Sequence, residues 1–209
     1  MASSVIHMAV ATEINKVIKR NNDMLLIGSI APDISKHLGQ SKLESHFQDN
    51  KDDNIPNIDR FLSKYKDYLN DDFVMGYFIH LYTDYLWFKY FIPDISNKNC
   101  ITKLDGTVVK CTGNMMQLYI YNDFTNLNAQ LLDYYNMDLS IYYNELPEIK
   151  NIIQEIPMDK LQIIIDQASI IIEDTKKRKE YIFNLEHVNN FIKMSVELTL
   201  SKLQELELI

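Results

Sequence analysis

The chain has 209 residues, of which 46% are apolar and 24% are charged. This length and composition are typical of one globular domain with a full hydrophobic core. The formal net charge of −8 argues against nucleic acid as a partner, because binding to a phosphate backbone requires a basic face. The two cysteines are too few for a disulfide-rich scaffold.

The sequence also predicts where the protein resides. The first seven residues lack a basic region and a long apolar stretch, which argues against a signal peptide. No uninterrupted apolar run approaches the roughly 18 to 20 residues that a membrane-spanning helix requires. We therefore expect a cytoplasmic protein without a transmembrane segment.

Helical periodicity of the apolar residues recurs along the chain and predicts an all-α protein. The predicted helices cover about residues 4–20, 57–69, 73–91, 114–135, a stretch opened by Pro147, 157–174 and 185–206. Ser3 or Ser4 can cap the first helix, and Pro93 is expected to stop the third. The polar stretch 35–56 is expected to be mostly loop, and the basic run 176–179 a solvated turn.

Asp105-Gly106 is a strong signal for a two-residue turn, and it predicts a small β-hairpin over about residues 101–110. Cys100 and Cys111 lie symmetrically about this dipeptide, so their side chains could face each other across the hairpin. In a reducing cytoplasm, two ordinary thiols are the expected state.

His80 and Asp84 are the most informative pair in the sequence. If residues 76–87 are helical, the four-residue spacing places an imidazole and a carboxylate on one face, one turn apart. The segment is rich in aromatic residues and is expected to be buried, and a buried carboxylate is costly unless it is paired or binds a metal. The pair therefore indicates either a buried His–Asp hydrogen bond or a metal site between helices.

Three more residues that can bind metals precede this pair. His7 lies on the first predicted helix, Asp33 follows a glycine-containing apolar segment, and His46 stands in Ser-His-Phe. Each has an ordinary alternative: His7 as a satisfied core histidine, Asp33 as a helix cap, and His46 as a surface-loop histidine. None of these residues is convincing alone, and their joint arrangement is more specific.

In chain order, these residues stand in the motifs Ala-Pro-Asp, Ser-His-Phe and Gly-Tyr-Phe-x-His-x-x-x-Asp-x-x-Trp. The series resembles the zinc-dependent phospholipase C superfamily, which includes the single-strand-specific zinc nucleases, and is most similar to its short, unsecreted bacterial members. The motifs cover residues 7–87. The resemblance implies one domain over residues 1–209, a multi-helix bundle of the phospholipase C/nuclease type with the small β-hairpin insertion near residues 101–110.

The resemblance also implies a role for each residue. Four side chains match the protein ligands of one zinc ion: Asp33, His46, His80 and Asp84. Asp84 would bridge to a second zinc, which His7 also holds. That second zinc takes its other protein ligands from the N-terminus, so Ala2 is a further candidate if Met1 is removed. Imidazole and carboxylate groups suit zinc, although manganese and iron also accept such ligands.

The sequence departs from the family at a third zinc site. Tyr90 stands where members with three zincs have another histidine, and no histidine occurs between His80 and His187. Asp123 could substitute as a ligand, with an exposed helical aspartate as the ordinary alternative. One or two metal ions are therefore expected.

The activity implied by the resemblance is a metal-dependent phosphoesterase with zinc as the expected metal. Such an enzyme hydrolyses a phosphodiester or phosphomonoester with a metal-activated water, which Asp33 would orient or deprotonate. The expected substrate is a small phosphoester or a phospholipid headgroup. The alternative is a zinc-binding scaffold or ligand-binding protein without turnover, which the missing third-site histidines favour.

Overall fold

The computed structural model describes residues 1–97, 99–173 and 180–209, which are mostly helical. The α-helices of these residues are α1 (Ser4–Ile18), α2 (Asn22–Ile30), α3 (Ile34–His37), α4 (Ile58–Tyr65), α5 (Asp72–Leu86), α6 (Ile92–Ile95), α7 (Gly113–Tyr135), α8 (Leu161–Glu173) and α9 (Leu185–Glu205). A small antiparallel sheet has the order β1 (Ser96–Asn97), β2 (Cys100–Thr102) and β3 (Val108–Lys110). The prediction of a mostly helical fold is confirmed, and the phospholipase C/nuclease type stays a prediction.

Helix α1 lies at the centre of the helical layers. Ser3 caps it, as predicted: its hydroxyl accepts a hydrogen bond from the Ile6 N–H at 3.3 Å. The helix packs against α2, α5, α7 and α9. Because neighbours cover it on several sides, residues 5–11 are all buried, and His7 is therefore in the interior.

Helices α2 and α5 approach each other closely at two glycines. A Cβ on Gly28 would clash with the backbone oxygen of Phe73, and a Cβ on Gly76 would clash with the backbone oxygen of Leu25. Any larger residue at these positions would push the helices apart. This close approach brings the carboxyl end of α2 against the middle of α5.

Pro93 does not stop the aromatic helix. A π-helical turn over Trp87–Phe91 follows α5, and α6 continues the helical path through Pro93. Proline has no N–H, and its ring clashes with the carbonyl four residues earlier in a regular α-helix. Just before Pro93, the N–H of Ile92 bonds to the carbonyl of Trp87, so the register has already widened to i−5. The predicted end at Pro93 is wrong because of this change in register.

The hairpin forms where it was predicted, but with a different register. Residues 103–107 lie between β2 and β3. The Lys103 N–H donates to the Thr107 carbonyl, so a three-residue turn, 104–106, reverses the chain, and Gly106 supplies the positive φ of +81°. Cys100 therefore lies opposite Lys110. A two-residue turn would have placed Cys100 opposite Cys111, and the longer loop shifts the pairing by one residue. Both cysteines are free, as expected.

The segment after α7 differs from the prediction at Pro147, which opens no helix. The short segment between Pro147 and Pro157 is held in a non-helical path by α4, since the Gln154 N–H donates to the Tyr65 hydroxyl at 3.0 Å. From Pro157 a 3₁₀ turn, Met158–Lys160, leads into α8 as predicted. The basic run 176–179 lies outside the described residues. Within the described part of the chain, no helix combines the length and apolar character needed to cross a membrane.

Candidate metal centre

Five side chains that the sequence predicted as metal ligands meet in the interior. They come from α1 (His7), the 3₁₀ turn after α2 (Asp33), the loop between α3 and α4 (His46) and α5 (His80 and Asp84). All five are buried, and the most exposed, Asp33, has only 5% of its surface accessible. Segments far apart in the sequence thus place three imidazoles and two carboxylates around one point.

The five residues form two overlapping groups that could each hold a metal ion. One group is His7, His80 and Asp84; the other is Asp33, His46 and His80. In each group, one candidate ligand atom from every residue lies within 4.8 Å of the others. His80 belongs to both groups, so the geometry has room for one ion or for two neighbouring ions.

The orientation of His80 follows from the close packing of α2 against α5. The carbonyl of Ser29, the residue after Gly28, lies 2.7 Å from His80 Nδ1. A carbonyl oxygen can only accept, so Nδ1 carries the hydrogen and Nε2 keeps its lone pair in the neutral ring. A backbone group on one nitrogen that leaves the other free is the usual support of a metal-binding histidine.

His46 is held by a tight turn that ends in a strained residue. The N–H of His46 bonds to the carbonyl of Lys42, and the turn ends at Phe47, which has a left-handed φ of +53°. A bulky residue in this conformation costs about 1–2 kcal/mol. Phe47 tolerates it because its ring is buried against Phe61 and Tyr77.

The His46 ring points one nitrogen at the centre and the other at a hydroxyl. Its Nδ1 lies 2.9 Å from the Ser45 hydroxyl, which can donate or accept. Its Nε2 lies 3.3 Å from His80 Nε2, so either one of these nitrogens carries a hydrogen or a cation lies between them. If the Ser45 hydroxyl accepts from His46 Nδ1, the Nε2 lone pairs of His46 and His80 both face the centre and can bind a metal.

Asp84 sits between the N-terminus and the histidines. Its Oδ1 accepts a hydrogen bond from the Ala2 N–H at 3.1 Å and lies 3.3 Å from His7 Nε2. Its Oδ2 is 3.7 Å from His46 Nε2 and 3.8 Å from His80 Nε2, and it is buried without a hydrogen-bond partner. An unpaired buried carboxylate oxygen is costly, and a bound cation would remove that cost.

His7 stacks on His80, with ring centroids 3.8 Å apart and an interplanar angle of 13°. Both ring nitrogens of His7 are buried and lack a hydrogen-bond partner, although Nε2 is close to Asp84. A buried imidazole without partners is unusual in a core built for stability alone. The arrangement leaves a nitrogen available to a ligand.

The electrostatic environment sets the protonation of the carboxylates. Burial raises the pKa of Asp84, but His7, the N-terminal amino group and His80 together outweigh burial and hold that pKa well below its ordinary value. Burial likewise raises the pKa of Asp33, and Lys42 with His46 more than offsets it, so this pKa is also well below its ordinary value. Both carboxylates are therefore ionised at neutral pH.

The nitrogen groups shift towards their neutral forms. Burial lowers the pKa of His46, and burial together with His7 lowers the pKa of His80 well below its ordinary value. Burial lowers the pKa of the Met1 amino group to about 6, against the attraction of Asp84. Metals bind neutral imidazoles and ionised carboxylates, and the folded chain favours those states at His46, His80, Asp33 and Asp84.

The ordinary alternatives do not describe these residues. His46 is 1% exposed, so it is no surface histidine, and the side chain of Asp33 makes no capping hydrogen bond to the helix that follows it. His80 and Asp84 are 3.8 Å apart at their nearest charged atoms and form no hydrogen bond with each other. His7 is not a satisfied core histidine.

Asp123 and Tyr90, the two positions that bear on a third zinc site, lie outside the five-residue centre. The carboxylate of Asp123 accepts hydrogen bonds from three consecutive backbone N–H groups, at 2.9, 2.7 and 3.1 Å from Tyr181, Ile182 and Phe183. Asp123 is fully buried, so the exposed-aspartate alternative is wrong, and its oxygens are engaged away from the five-residue centre. Tyr90 is 42% exposed on the π-helical turn.

Sequence reasoning missed three groups around the centre: the Ser29 carbonyl, the Ser45 hydroxyl and the Lys42 ammonium. Ser45 adjoins His46 in the sequence, and this adjacency is a signal for a hydrogen bond between the two side chains. The Ser29 carbonyl has no side-chain signal, since any residue type would present it. Lys42 lies nine residues from Asp33, and nothing in a polar loop predicts that it would donate to that carboxylate.

Comparisons of the chain with family models, with curated proteins and with solved structures find no match. The resemblance to the phospholipase C superfamily therefore stays a prediction that rests on the motifs. The centre itself could hold a metal ion: its donors are imidazole nitrogens and carboxylate oxygens, and several of these buried atoms have no other partner.

Proposed function

We propose that the protein is a metal-dependent phosphoesterase that hydrolyses a phosphodiester or a phosphomonoester. The observation that supports this most is the pair of buried His/Asp groups sharing His80, in which atoms of His7 and Asp84 lack hydrogen-bond partners. The motif resemblance supplies the reaction class. Zinc is the proposed metal, as one or two ions, and manganese or iron would accept the same ligands.

The proposed ligands divide between the two groups. Asp33, His46, His80 and Asp84 would hold one ion, and Asp84 together with His7 would hold the second; His80 belongs to both of the groups that the structure brings together. When bound, such a metal lowers the pKa of water and stabilises negative charge on a phosphoryl oxygen. The chain orients two of these ligands, His80 through a backbone carbonyl and His46 through a hydroxyl.

Asp33 is the proposed catalytic residue. It is the most exposed of the five, so water would reach the centre most readily at this residue. Its Oδ1 lies 3.4 Å from His46 Nε2 and would face the ion, which leaves Oδ2 to orient the attacking water and take its proton. The proposed substrate is a small phosphoester or the headgroup of a phospholipid.

Ala2 is proposed as a further ligand after removal of Met1. The nitrogen of Ala2 lies 3.1 Å from Asp84 Oδ1, where an α-amino group would reach the same ion as His7. In the intact chain this nitrogen is an amide, whose lone pair is not available to a metal. Mass spectrometry of the protein from its native host should show Ala2 as the first residue, and intact Met1 would contradict this ligand.

The experiment that tests the function is elemental analysis of protein purified without chelator, followed by a phosphoesterase screen. We expect bound zinc and hydrolysis of a generic phosphoester, with activity lost in Asp33→Ala and His80→Ala. Asp159→Ala, at an exposed position outside the centre, is the matched control and should keep full activity. Unchanged activity in Asp33→Ala would contradict the assignment.

A metal-binding scaffold without turnover is the second candidate. It is favoured by Asp123, whose oxygens are taken by three backbone N–H groups, and by Tyr90 in place of a further histidine. Bound metal without hydrolysis in the screen would support the scaffold. Absence of metal would defeat both candidates.

A further inference from the structure

Lys42 lies beside the candidate metal centre and is joined to it by an ion pair. Its Nζ donates to Asp33 Oδ1 at 2.8 Å. The same oxygen faces His46 Nε2 at 3.4 Å, on the side where Asp33, His46 and His80 could hold a metal. A metal ion bound through this oxygen would therefore compete with the ammonium group of Lys42.

The chain fixes Lys42 at the outer side of the centre. Lys42 and His46 belong to one helical turn, because the His46 N–H bonds to the Lys42 carbonyl at 2.8 Å. The side chain of Lys42 is 21% exposed, whereas that of Asp33 is 7% exposed. The ammonium group can therefore leave Asp33 towards solvent without crossing the core.

From this geometry we propose that Lys42 is a displaceable internal cation, which pairs with Asp33 in the metal-free protein and binds the phosphoryl group of the ligand once a metal takes its place. The inference rests on the proposed function, since it requires a metal at the centre. An ammonium group and a divalent cation repel each other strongly when both lie at one buried carboxylate oxygen. The displaced ammonium would then be free to form a charge-assisted hydrogen bond with a phosphate oxygen.

The overall charge makes such a cation useful. With a net charge of −8, the protein as a whole repels an anionic ligand. A lysine at the outer side of the centre supplies the local positive charge that phosphate requires. In the metal-free protein the same lysine offsets the charge of Asp33, so one side chain serves both states.

Lys36 provides a matched control, because it carries the same charge in the same region. It follows Asp33 by three residues on α3, and its ammonium donates to the Tyr121 hydroxyl at 2.7 Å. It lies in an exposed position. Replacing Lys36 or Lys42 by methionine therefore removes one positive charge in each case, and only Lys42→Met removes the ion pair with Asp33.

The first test is a zinc titration of metal-free protein by calorimetry. Lys42→Met should bind zinc about tenfold more tightly than wild type, because the metal no longer displaces a charge-assisted hydrogen bond. Lys36→Met should stay within about threefold of wild type, because its charge acts through solvent. A misfolded variant would lose affinity, so the expected gain cannot arise from damage. Zinc affinity in Lys42→Met equal to or weaker than wild type would overturn the proposal.

The second test measures inorganic phosphate binding to the zinc-loaded proteins. Lys42→Met should bind phosphate about tenfold more weakly, and Lys36→Met should resemble wild type. Equal loss in both variants would overturn the proposal, because it would indicate a general charge effect. Failure of the wild type to bind zinc would instead overturn the proposed function, so the two failures are distinguishable.

Discussion

At the scale of single residues, a backbone carbonyl decides which nitrogen of His80 faces the centre. The Ser29 carbonyl occupies Nδ1, and Nε2 is thereby directed towards both Asp84 and His46. His80 also stacks on His7 and belongs to both candidate ligand groups. Its removal should therefore affect the whole centre and not one contact.

We predict that His80→Ala lowers zinc affinity by about 100-fold or more, since loss of supporting groups alone typically costs 10- to 100-fold. Calorimetric titration of metal-free protein measures the change. His187→Ala is the control, because His187 is exposed on α9 and should leave the affinity unchanged. Equal zinc affinities of His80→Ala and His187→Ala would contradict the assignment of a metal centre at His80.

The buried histidines also predict a pH dependence for the metal-free protein. The pKa values of His46 and His80 are lowered on folding, so below about pH 6.5 the unfolded chain binds protons that the folded chain does not. Stability should therefore fall as the pH decreases, by about 2–4 kcal/mol between pH 7 and pH 5. Asp33 and Asp84, with lowered pKa values, lose their stabilising contribution only below about pH 4.

Urea unfolding in the presence of chelator at several pH values measures this dependence. A free energy of unfolding that does not change between pH 7 and pH 5 would contradict it. His80→Gln should reduce the slope, because one of the two buried imidazoles is removed. His187→Ala should keep the wild-type slope.

At the scale of elements, the contact of α2 with α5 positions the centre. Gly28 and Gly76 let the two backbones meet, and this contact carries the Ser29 carbonyl to His80. The loop between α3 and α4 contributes through one strained turn, in which the packing of Phe47 stabilises the conformation that presents His46. Helix packing and turn geometry thus orient ligands that lie far apart in the chain.

We predict that Gly76→Ala destabilises the protein by about 1–3 kcal/mol, although alanine is the better helix former, because its Cβ would clash with the backbone of α2. Gly113→Ala, at the start of α7 with open space around it, should change stability little. Urea unfolding followed by circular dichroism compares them. A stabilising effect of Gly76→Ala would show that the helices do not approach so closely.

At the scale of the whole molecule, the C-terminal half of the chain packs against one side of the N-terminal half. Trp87, the first residue of the π-helical turn after α5, is fully buried among aromatic rings from α7, the segment before α9 and α9: Phe124, Phe183 and Phe191. Asp123 fastens the same segment to α7 by accepting from three backbone N–H groups. This part of the chain supports the centre without supplying any of its five residues.

We predict that Asp123→Asn lowers the free energy of unfolding by about 2–3 kcal/mol, because buried N–H groups lose a charged acceptor. Zinc affinity should not change, in contrast to substitution of Asp84. Asp133→Asn, an exposed position on the same helix, is the control and should be nearly neutral. A fall in zinc affinity for folded Asp123→Asn would contradict this prediction and indicate that Asp123 is a metal ligand.

The periodicity of apolar residues was enough to predict the helical class and most helices, because that pattern is local. The cap at Ser3 is equally local, whereas the five candidate ligands were grouped by residue type and order in motifs that resemble a known family. The predictions of a helix end at Pro93, a helix start at Pro147 and a pairing of the two cysteines were wrong. These features depend on a π turn, a contact with α4 and a three-residue turn, respectively. None of those three features has a clear signal in the neighbouring residues.

The sequence by itself determined which side chains can bind a metal in this protein, since His and Asp carry that chemistry wherever they lie. Only the tertiary structure decided that five of them meet, that Asp123 does not join them, and that Lys42 does. The physical reason is that burial and hydrogen-bond partners arise from packing between distant segments. The glycine contact between α2 and α5 and the turn ending at Phe47 create those environments after the chain has folded.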